Sequence, residues 1–182
     1  MKSGGTPVRP ELFTVGHSTH PLDRFQALLA QHRIELVADI RRFPGSRKFP
    51  HFNSDRLASA LPETGVEYRW FQVLGGRRQK KGDAPSENLG LRNESFRNYA
   101  DYMRTEEFRL GVAQLQDVAG DKRTAFMCSE GLFWRCHRRL VGDFLLMRGI
   151  VVQHIMPSGE VQPHSLTRGA PTDSGDQLGD VQ

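Results

Sequence analysis

Apolar and polar positions along the chain follow two periods in alternation, one typical of strands and one typical of helices. Five short apolar runs have the length of buried strands, and they cover residues 12–15, 34–40, 65–73, 124–128 and 150–155. Between them, apolar residues recur every three or four positions, as on one face of a helix. The first predicted helix begins at residue 21. The other predicted helices cover 54–61, 96–103, 106–118 and 134–147.

Strands that alternate with helices indicate right-handed crossover connections and a parallel sheet. We therefore predict an α/β fold: a single compact domain over residues 11–168, with a mostly parallel five-stranded sheet and helices on both faces. Residues 1–10 are expected to be a flexible lead-in. Residues 169–182 contain three aspartates and no basic or aromatic residue, which is typical of a disordered acidic tail.

Composition excludes several classes of protein. Two cysteines in 182 residues do not make a disulfide scaffold. The first residues lack the apolar core of a signal peptide, and no apolar run approaches the length that spans a membrane. We therefore expect a cytoplasmic protein with no membrane partner. The net charge of +4 permits an anionic partner without requiring one.

Polar residues with reactive or anion-binding side chains follow four of the predicted strands. In parallel α/β sheets, ligands bind beyond the carboxyl ends of the strands. The residues at these ends are His17 and Ser18, then Asp39, Arg41 and Arg42, then Gly75, Gly76 and Arg77, then Cys128 and Glu130. We expect these four ends to meet at one edge of the sheet and to form the functional site.

Two basic segments are candidates for phosphate binding. In the first, Arg41, Arg42 and Arg47 are interleaved with phenylalanines, and arginine binds phosphate oxygens bidentately while aromatic rings stack on bases. In the second, Arg77 follows two adjacent glycines, which let backbone N–H groups approach a ligand closely. The alternative for both segments is a solvated basic loop.

Three residues are candidates for acid–base chemistry. Histidine ordinarily titrates near neutrality, so His17 suits proton transfer, but it can also cap the next helix. Asp39 and Glu130 supply two carboxylates that could protonate a leaving group or activate water. The alternative for Asp39 is structural, because it can pair with Arg41 or Arg138 and brace the pocket.

The two cysteines have three interpretations. A zinc site with Cys128 and Cys136 has an unusual spacing of seven intervening residues and lacks a second Cys/His pair, although His17 and His137 could complete a set. Alternatively, Cys136 is a nucleophile whose thiolate is favoured by a helix N-terminus and cationic neighbours such as Arg138. The structural alternative makes Cys128 a small buried residue at a strand end.

Taken together, the ordered motifs resemble the bacterial and archaeal family called domain of unknown function 488, over roughly residues 12–165. The motifs are TVGHS at 14–18, ADIRRFPGSR at 38–47, FN at 52–53, GVEY at 65–68, LGGR at 74–77 and CSE at 128–130 with CHR at 136–138. The resemblance implies a compact α/β domain with its signature residues in one pocket. The implied pocket residues are His17, Ser18, Asp39, Arg41, Ser46, Arg47, Cys128, Glu130, Cys136, His137 and Arg138.

These observations favour an enzyme that acts on nucleic acid or a nucleotide, of the hydrolase or base-repair type. His17, Asp39 and Glu130 are its predicted catalytic residues. The predicted phosphate- or substrate-binding residues are Ser18, Arg41, Arg42, Ser46, Arg47, Gly75, Gly76, Arg77, His137 and Arg138. Two other functions stay open: a non-catalytic module that binds phosphate or nucleic acid, and a metal- or redox-dependent protein that uses Cys128 and Cys136. The sequence leaves the cofactor and the oligomeric state open.

Overall fold

The computed structural model describes residues 11–80, 82 and 85–168. Within these ranges the chain forms one six-stranded sheet with five α-helices. The strands are β1 (Glu11–Gly16), β2 (Leu36–Asp39), β3 (Glu67–Trp70), β4 (Thr124–Cys128), β5 (Val151–Ile155) and β6 (Val161–Pro163). The helices are α1 (Leu22–Gln31), α2 (Ser54–Ala60), α3 (Glu94–Met103), α4 (Glu106–Asp121) and α5 (Arg138–Met147). The predicted lead-in and acidic tail lie outside the described residues.

The strand order is β3-β2-β4-β1-β5-β6, and the first five of these strands run parallel. The predicted mostly parallel α/β sheet is confirmed, but the sheet has six strands and not five. The additional strand β6 pairs antiparallel with β5. It has only three residues, all exposed and one of them a proline, so it carries no apolar pattern that predicts a strand.

Side chains alternate between the two faces of the sheet, and each face has its own apolar core. Leu12 packs in one core and Phe13, the next residue of β1, packs in the other. Phe25 of α1 joins the core that contains Phe13, while Phe108 of α4 joins the core that contains Leu12. The predicted cover of helices on both faces is thereby confirmed.

The start of α5 differs from the prediction in a way that shapes the site. The helix was predicted from residue 134, but it begins at Arg138. Phe133–Arg135 form a short 3-10 turn, and Cys136 is extended at φ −131° and ψ 152°. The segment between β4 and α5 is therefore a folded-back loop, which places Cys136 and His137 beside the end of β4.

Gly16 lets this loop cross the end of β1. A Cβ atom at Gly16 would lie 1.8 Å from the carbonyl oxygen of Glu130, so no larger residue fits there. Beyond the strand pairing, the backbone N–H groups of His17 and Ser18 donate to the carbonyl oxygens of Cys128 and Ser129. The loops that follow β1 and β4 are therefore held side by side. In the described part of the chain, no helix is both long and apolar enough to cross a membrane.

Candidate functional site

A cavity of about 500 Å³ opens at the carboxyl ends of β1 to β4. This volume falls within the usual range for small-molecule sites. Eleven of the fifteen predicted site residues line it: His17, Ser18, Arg41, Arg42, Ser46, Gly76, Arg77, Cys128, Glu130, Cys136 and His137. The structure thus brings together residues from four separate strand ends, as the order of motifs predicted.

Four predicted residues do not line the cavity: Asp39, Arg47, Gly75 and Arg138. Arg47 is exposed on the basic loop nearby. Gly75 packs against Arg42, since a Cβ atom there would lie 2.6 Å from the Cα of Arg42. These residues therefore reach the cavity only indirectly, by shaping or charging its surroundings.

Asp39 is fully buried and acts as a brace for Arg41. Its carboxylate accepts hydrogen bonds from Arg41 Nε at 2.9 Å and Nη2 at 2.6 Å, and from the hydroxyl of Tyr68 at 2.7 Å. Arg41 Nη2 also donates to the carbonyl oxygen of Phe52. Of the two interpretations of Asp39, the geometry therefore favours the structural one, in which it orients Arg41 and neutralises its charge.

His17 is a buried, neutral imidazole on the cavity wall. Its Nδ1 donates to the carbonyl oxygen of Ser18 at 2.9 Å, and its ring stacks on Phe52 at 4.2 Å. Arg41 Nη1 lies 3.3 Å from Nε2, which carries the lone pair in this tautomer. Burial, reinforced by the charge of Arg41, lowers the pKa of His17 to about 4. At neutral pH this side chain is therefore unprotonated, and its Nε2 accepts a hydrogen bond.

The cavity wall carries more positive than negative charge. Arg42, Arg77 and Arg135 line it together with Glu130, the only acidic residue among the lining residues that the structure describes. The charge of Arg41 is already neutralised by its buried partner. Arg42 Nη1 donates to the carbonyl oxygen of Arg77, so the two basic segments are joined at this wall. The arrangement suits an anionic ligand.

The basic loop after β2 is ordered by specific hydrogen bonds. The backbone N–H of Ser46 donates to Asn53 Oδ1 at 2.6 Å, and Ser46 Oγ accepts from the backbone N–H of Phe49. The indole N–H of Trp70 donates to the carbonyl oxygen of Arg41. The backbone of this loop is therefore held in place, which favours an ordered loop over a merely solvated one.

Aromatic rings form a second part of the cavity wall. Phe43 and Phe49 were predicted from the basic loop, whereas Phe96 and Tyr99 come from α3. Phe43 is 63% exposed, so a flat ligand group can reach its ring. The contribution of α3 was missed because its apolar periodicity indicates only core packing, and nothing in the sequence places it beside the strand ends. Thr19, Gly45, Ser95, Ser129 and Arg135 also line the cavity.

Cys128, Cys136 and His137 form a compact cluster at the cavity wall. All three are buried, and their two Sγ atoms and one imidazole nitrogen lie within 4.8 Å of one another. His137 Nδ1 is 3.5 Å from Cys136 Sγ and 3.9 Å from Cys128 Sγ. Both thiols are free. Such a set of donors can hold a metal ion, and His17 is not part of it.

The two thiols have opposite pKa shifts. A hydrogen bond to Cys136, together with burial, raises the pKa of Cys128 to about 12. Burial acts to raise the pKa of Cys136 as well, but the hydrogen bond from Cys128 and the nearby Arg138 lower it to about 6. The shared proton therefore stays on Cys128, and Cys136 is a thiolate at neutral pH.

Gly76 allows close contact between the loop after β3 and the His137 ring. A Cβ atom at Gly76 would lie 2.8 Å from His137 Nδ1. On its other side, His137 Nε2 lies 3.1 Å from the carbonyl oxygen of Ile40, so this nitrogen carries the proton and Nδ1 has the free lone pair. The ring is thereby fixed with Nδ1 facing both sulfur atoms.

Arg138 is fully buried and begins a hydrogen-bonded chain through the interior. Its Nη1 donates to Thr14 Oγ1 at 3.1 Å, and the Thr14 hydroxyl donates to His154 Nδ1 at 2.7 Å. His154 Nε2 donates to His164 Nδ1, and His164 Nε2 donates to Asp143 Oδ1, each at 2.9 Å. Arg138 was predicted to contact a substrate, but the structure places it inside the protein.

Local backbone strain is present at the cavity. Ser18 and Arg77 have φ angles of +52° and +56°, a conformation that costs residues with a side chain about 1–2 kcal/mol. Both residues line the cavity. Strain of this kind accumulates at functional sites because the surrounding structure holds it in place.

Comparison with known proteins gives one family. The family model described as Domain of unknown function DUF488 matches residues 21–145, which is narrower than the region over which the motifs resemble that family. The matched region contains most of the cavity but not His17, Ser18 and Thr19. Searches of the curated proteins and of the solved structures returned no significant match.

Proposed function

This chain belongs to the family described as domain of unknown function DUF488, and from its cavity we propose that it is an enzyme that binds and hydrolyses a nucleotide, free or within a single strand. The observation that carries the proposal is the composition of the cavity wall. Arg42, Arg77 and Arg135 line a space of about 500 Å³ that is also lined by aromatic rings. Phosphate and base are the two parts of a nucleotide that such a wall can hold.

The charge of the cavity wall and the position of its aromatic ring both support a nucleotide as the ligand. Three arginines opposed by one exposed carboxylate favour a ligand with negative charge. The exposed ring of Phe43 lies beside Arg42, whose guanidinium is 5.5 Å from the ring centroid. A base stacked on Phe43 would therefore leave its phosphate within reach of the arginines.

A carboxylate on the same wall supplies acid–base chemistry, and an imidazole there has a positioning role. Glu130 is exposed to the cavity, where it can accept a proton from an attacking water. His17 is neutral at physiological pH because of its lowered pKa, and its Nε2 accepts from Arg41, which it helps to orient. Asp39 has no direct part in the proposed reaction, because its carboxylate is occupied by Arg41 and Tyr68.

The test is turnover on a panel of nucleotides and single-stranded oligonucleotides, including damaged bases, with Glu130→Gln as the variant. The substitution removes the charge and keeps the shape of the side chain. We expect it to lower kcat by about 100-fold or more, the usual contribution of a general base, while binding is unchanged or stronger. Glu63→Gln, an exposed carboxylate outside the cavity, is the matched control.

The non-catalytic binding module is the second candidate, and the same experiment separates it from the enzyme. If nucleotides bind with an affinity that depends on Arg77 but no substrate is turned over, the arginines serve recognition alone. If wild-type protein neither binds nor alters any member of the panel, the proposed function is refuted.

A further inference from the structure

We propose that Cys128, Cys136 and His137 bind a divalent metal ion of the zinc class at the wall of the cavity. Sulfur and imidazole nitrogen are the ligands that zinc prefers. The inference concerns the same cavity as the proposed nucleotide chemistry, but it does not depend on that chemistry. Metal binding is measured directly, so either claim can fail while the other stands.

The two distances from the imidazole nitrogen to the sulfur atoms match those of tetrahedral zinc. Bonds of about 2.3 Å to sulfur and about 2.0–2.1 Å to nitrogen, at the tetrahedral angle, place sulfur about 3.6 Å from nitrogen. His137 Nδ1 lies 3.5 Å from Cys136 Sγ and 3.9 Å from Cys128 Sγ. Both nitrogen–sulfur distances therefore fit a shared ion with adjustments of a few tenths of an ångström, and the two sulfur atoms lie within 4.8 Å of each other.

The surroundings of His137 are those of a metal ligand. Its Nε2–H points at the carbonyl oxygen of Ile40, and metal-bound histidines regularly donate their second nitrogen to such an acceptor. This contact fixes the tautomer that leaves Nδ1 free. Two thiolates and a neutral imidazole would also neutralise the charge of a divalent ion, which lets the site be buried.

The spacing of these residues in the sequence does not indicate a metal site, because the ligands are brought together by a folded-back loop. Cys128 ends β4, whereas Cys136 and His137 precede α5. The 3-10 turn at Phe133–Arg135 and the extended Cys136 return the chain to the end of β4. Since all three ligands line the cavity, a fourth ligand would be a water molecule or a ligand atom from the cavity.

The test begins with wild-type protein purified without a histidine tag and kept reduced. Zinc content is measured by elemental analysis, and the apoprotein is then titrated with Co²⁺. The chain has only two cysteines, so a thiolate-to-cobalt charge-transfer band can arise only from Cys128 and Cys136. We expect one zinc ion per chain, and cobalt spectra of tetrahedral coordination with two thiolates.

The variants are Cys136→Ser and His137→Gln, with His20→Gln as the matched histidine control outside the cavity. Loss of a direct ligand should weaken Co²⁺ binding by more than the roughly 10–100-fold that loss of a supporting contact costs. Circular dichroism establishes whether each variant is folded. If a variant is unfolded, the wild-type cobalt spectrum alone shows whether the thiolates bind the metal.

A second pair of variants keeps all three ligands. Gly76→Ala places a methyl group 2.8 Å from His137 Nδ1, whereas Gly45→Ala lies on the same cavity with nothing within 4 Å of the new Cβ atom. We expect Gly76→Ala to weaken Co²⁺ binding by about 10–100-fold and Gly45→Ala to leave it unchanged.

Three results would overturn the inference. The first is folded, reduced wild-type protein that binds no stoichiometric zinc and gives Co²⁺ no thiolate band. The second is a Co²⁺ affinity that His137→Gln lowers no more than His20→Gln does. The third is a thiolate band that persists in Cys136→Ser at full intensity.

Discussion

Replacing Asp39 by asparagine would leave a buried cation without its counter-charge. Asp39 is fully buried and Arg41 is 6% exposed, so water cannot solvate the guanidinium when the carboxylate is removed. Asparagine has almost the same shape, and its oxygen can still accept one of the hydrogen bonds from Arg41. Its NH₂ group, however, would take the place of the carboxylate oxygen that now accepts hydrogen bonds from Arg41 and Tyr68, so donors would face donors.

The expected loss is about 3–5 kcal/mol in the free energy of unfolding, the cost of breaking a buried ion pair by removing one partner. Whole domains are stable by only about 5–15 kcal/mol. For a domain of this size, 1 kcal/mol corresponds to a shift of about 2–4 °C in Tm. Asp39→Asn should therefore lower Tm by about 6–20 °C.

Chemical denaturation and thermal melting measure this effect, with Glu67→Gln as the control. Glu67 pairs with Arg69 and Lys122 on the surface, where ion pairs contribute only about 0–1 kcal/mol. The double variant Asp39→Asn/Arg41→Gln should lose less stability than the sum of its single variants, because the unpaired charge is gone. If Asp39→Asn unfolds no more easily than Glu67→Gln, the bracing role of Asp39 is refuted.

Two further predictions concern the framework of the site. Burial chiefly lowers the pKa of His154 to about 2, so below pH 6.5 the unfolded chain binds a proton that the folded chain does not, and stability falls as pH falls. Between pH 7 and pH 5, the free energy of unfolding measured in urea should fall by about 2 kcal/mol more for wild type than for His154→Gln. Equal decreases in the two proteins would contradict the pKa shift. Gly16→Ala should destabilise the protein by about 3 kcal/mol or more, because its Cβ atom would lie 1.8 Å from the carbonyl oxygen of Glu130. The control is Gly120→Ala in α4, where the new Cβ atom meets nothing within 4 Å. This substitution should stabilise the protein by about 0.5–1 kcal/mol. Similar effects of the two substitutions on stability would refute the steric explanation.

The sequence predicts the central strands well because their apolar runs are buried on both faces. The run at 124–128 coincides with β4, since every residue of that strand is buried. Strand β6 carries no such pattern, and its position depends on the turn that pairs it with β5. The late start of α5 also escapes prediction, because an extended residue in a loop leaves no periodic signal.

For the site, position along the chain predicts which residues reach the strand ends but not how each side chain is oriented. Asp39 ends β2 and Arg41 follows two residues later, yet Asp39 is turned away from the cavity and Arg41 lines it. Arg138 and His137 are neighbours, yet only His137 lines the cavity. These orientations depend on tertiary contacts, such as that of Arg138 with Thr14, which no local pattern records.

The most direct test of the central claim is the salt dependence of binding to a short single-stranded oligonucleotide. The comparison is between wild type, the cavity variant Arg77→Ala/Arg135→Ala and the control Arg56→Ala/Arg109→Ala, which removes the same charge from exposed helix positions outside the cavity. Each lost phosphate contact flattens the slope of log affinity against log salt by about 0.7, so the cavity variant should flatten it by about 1.4 while the control follows wild type. Equal slopes for all three proteins, or no measurable binding of either the oligonucleotide or free nucleotides by wild type, would contradict a nucleotide site in this cavity.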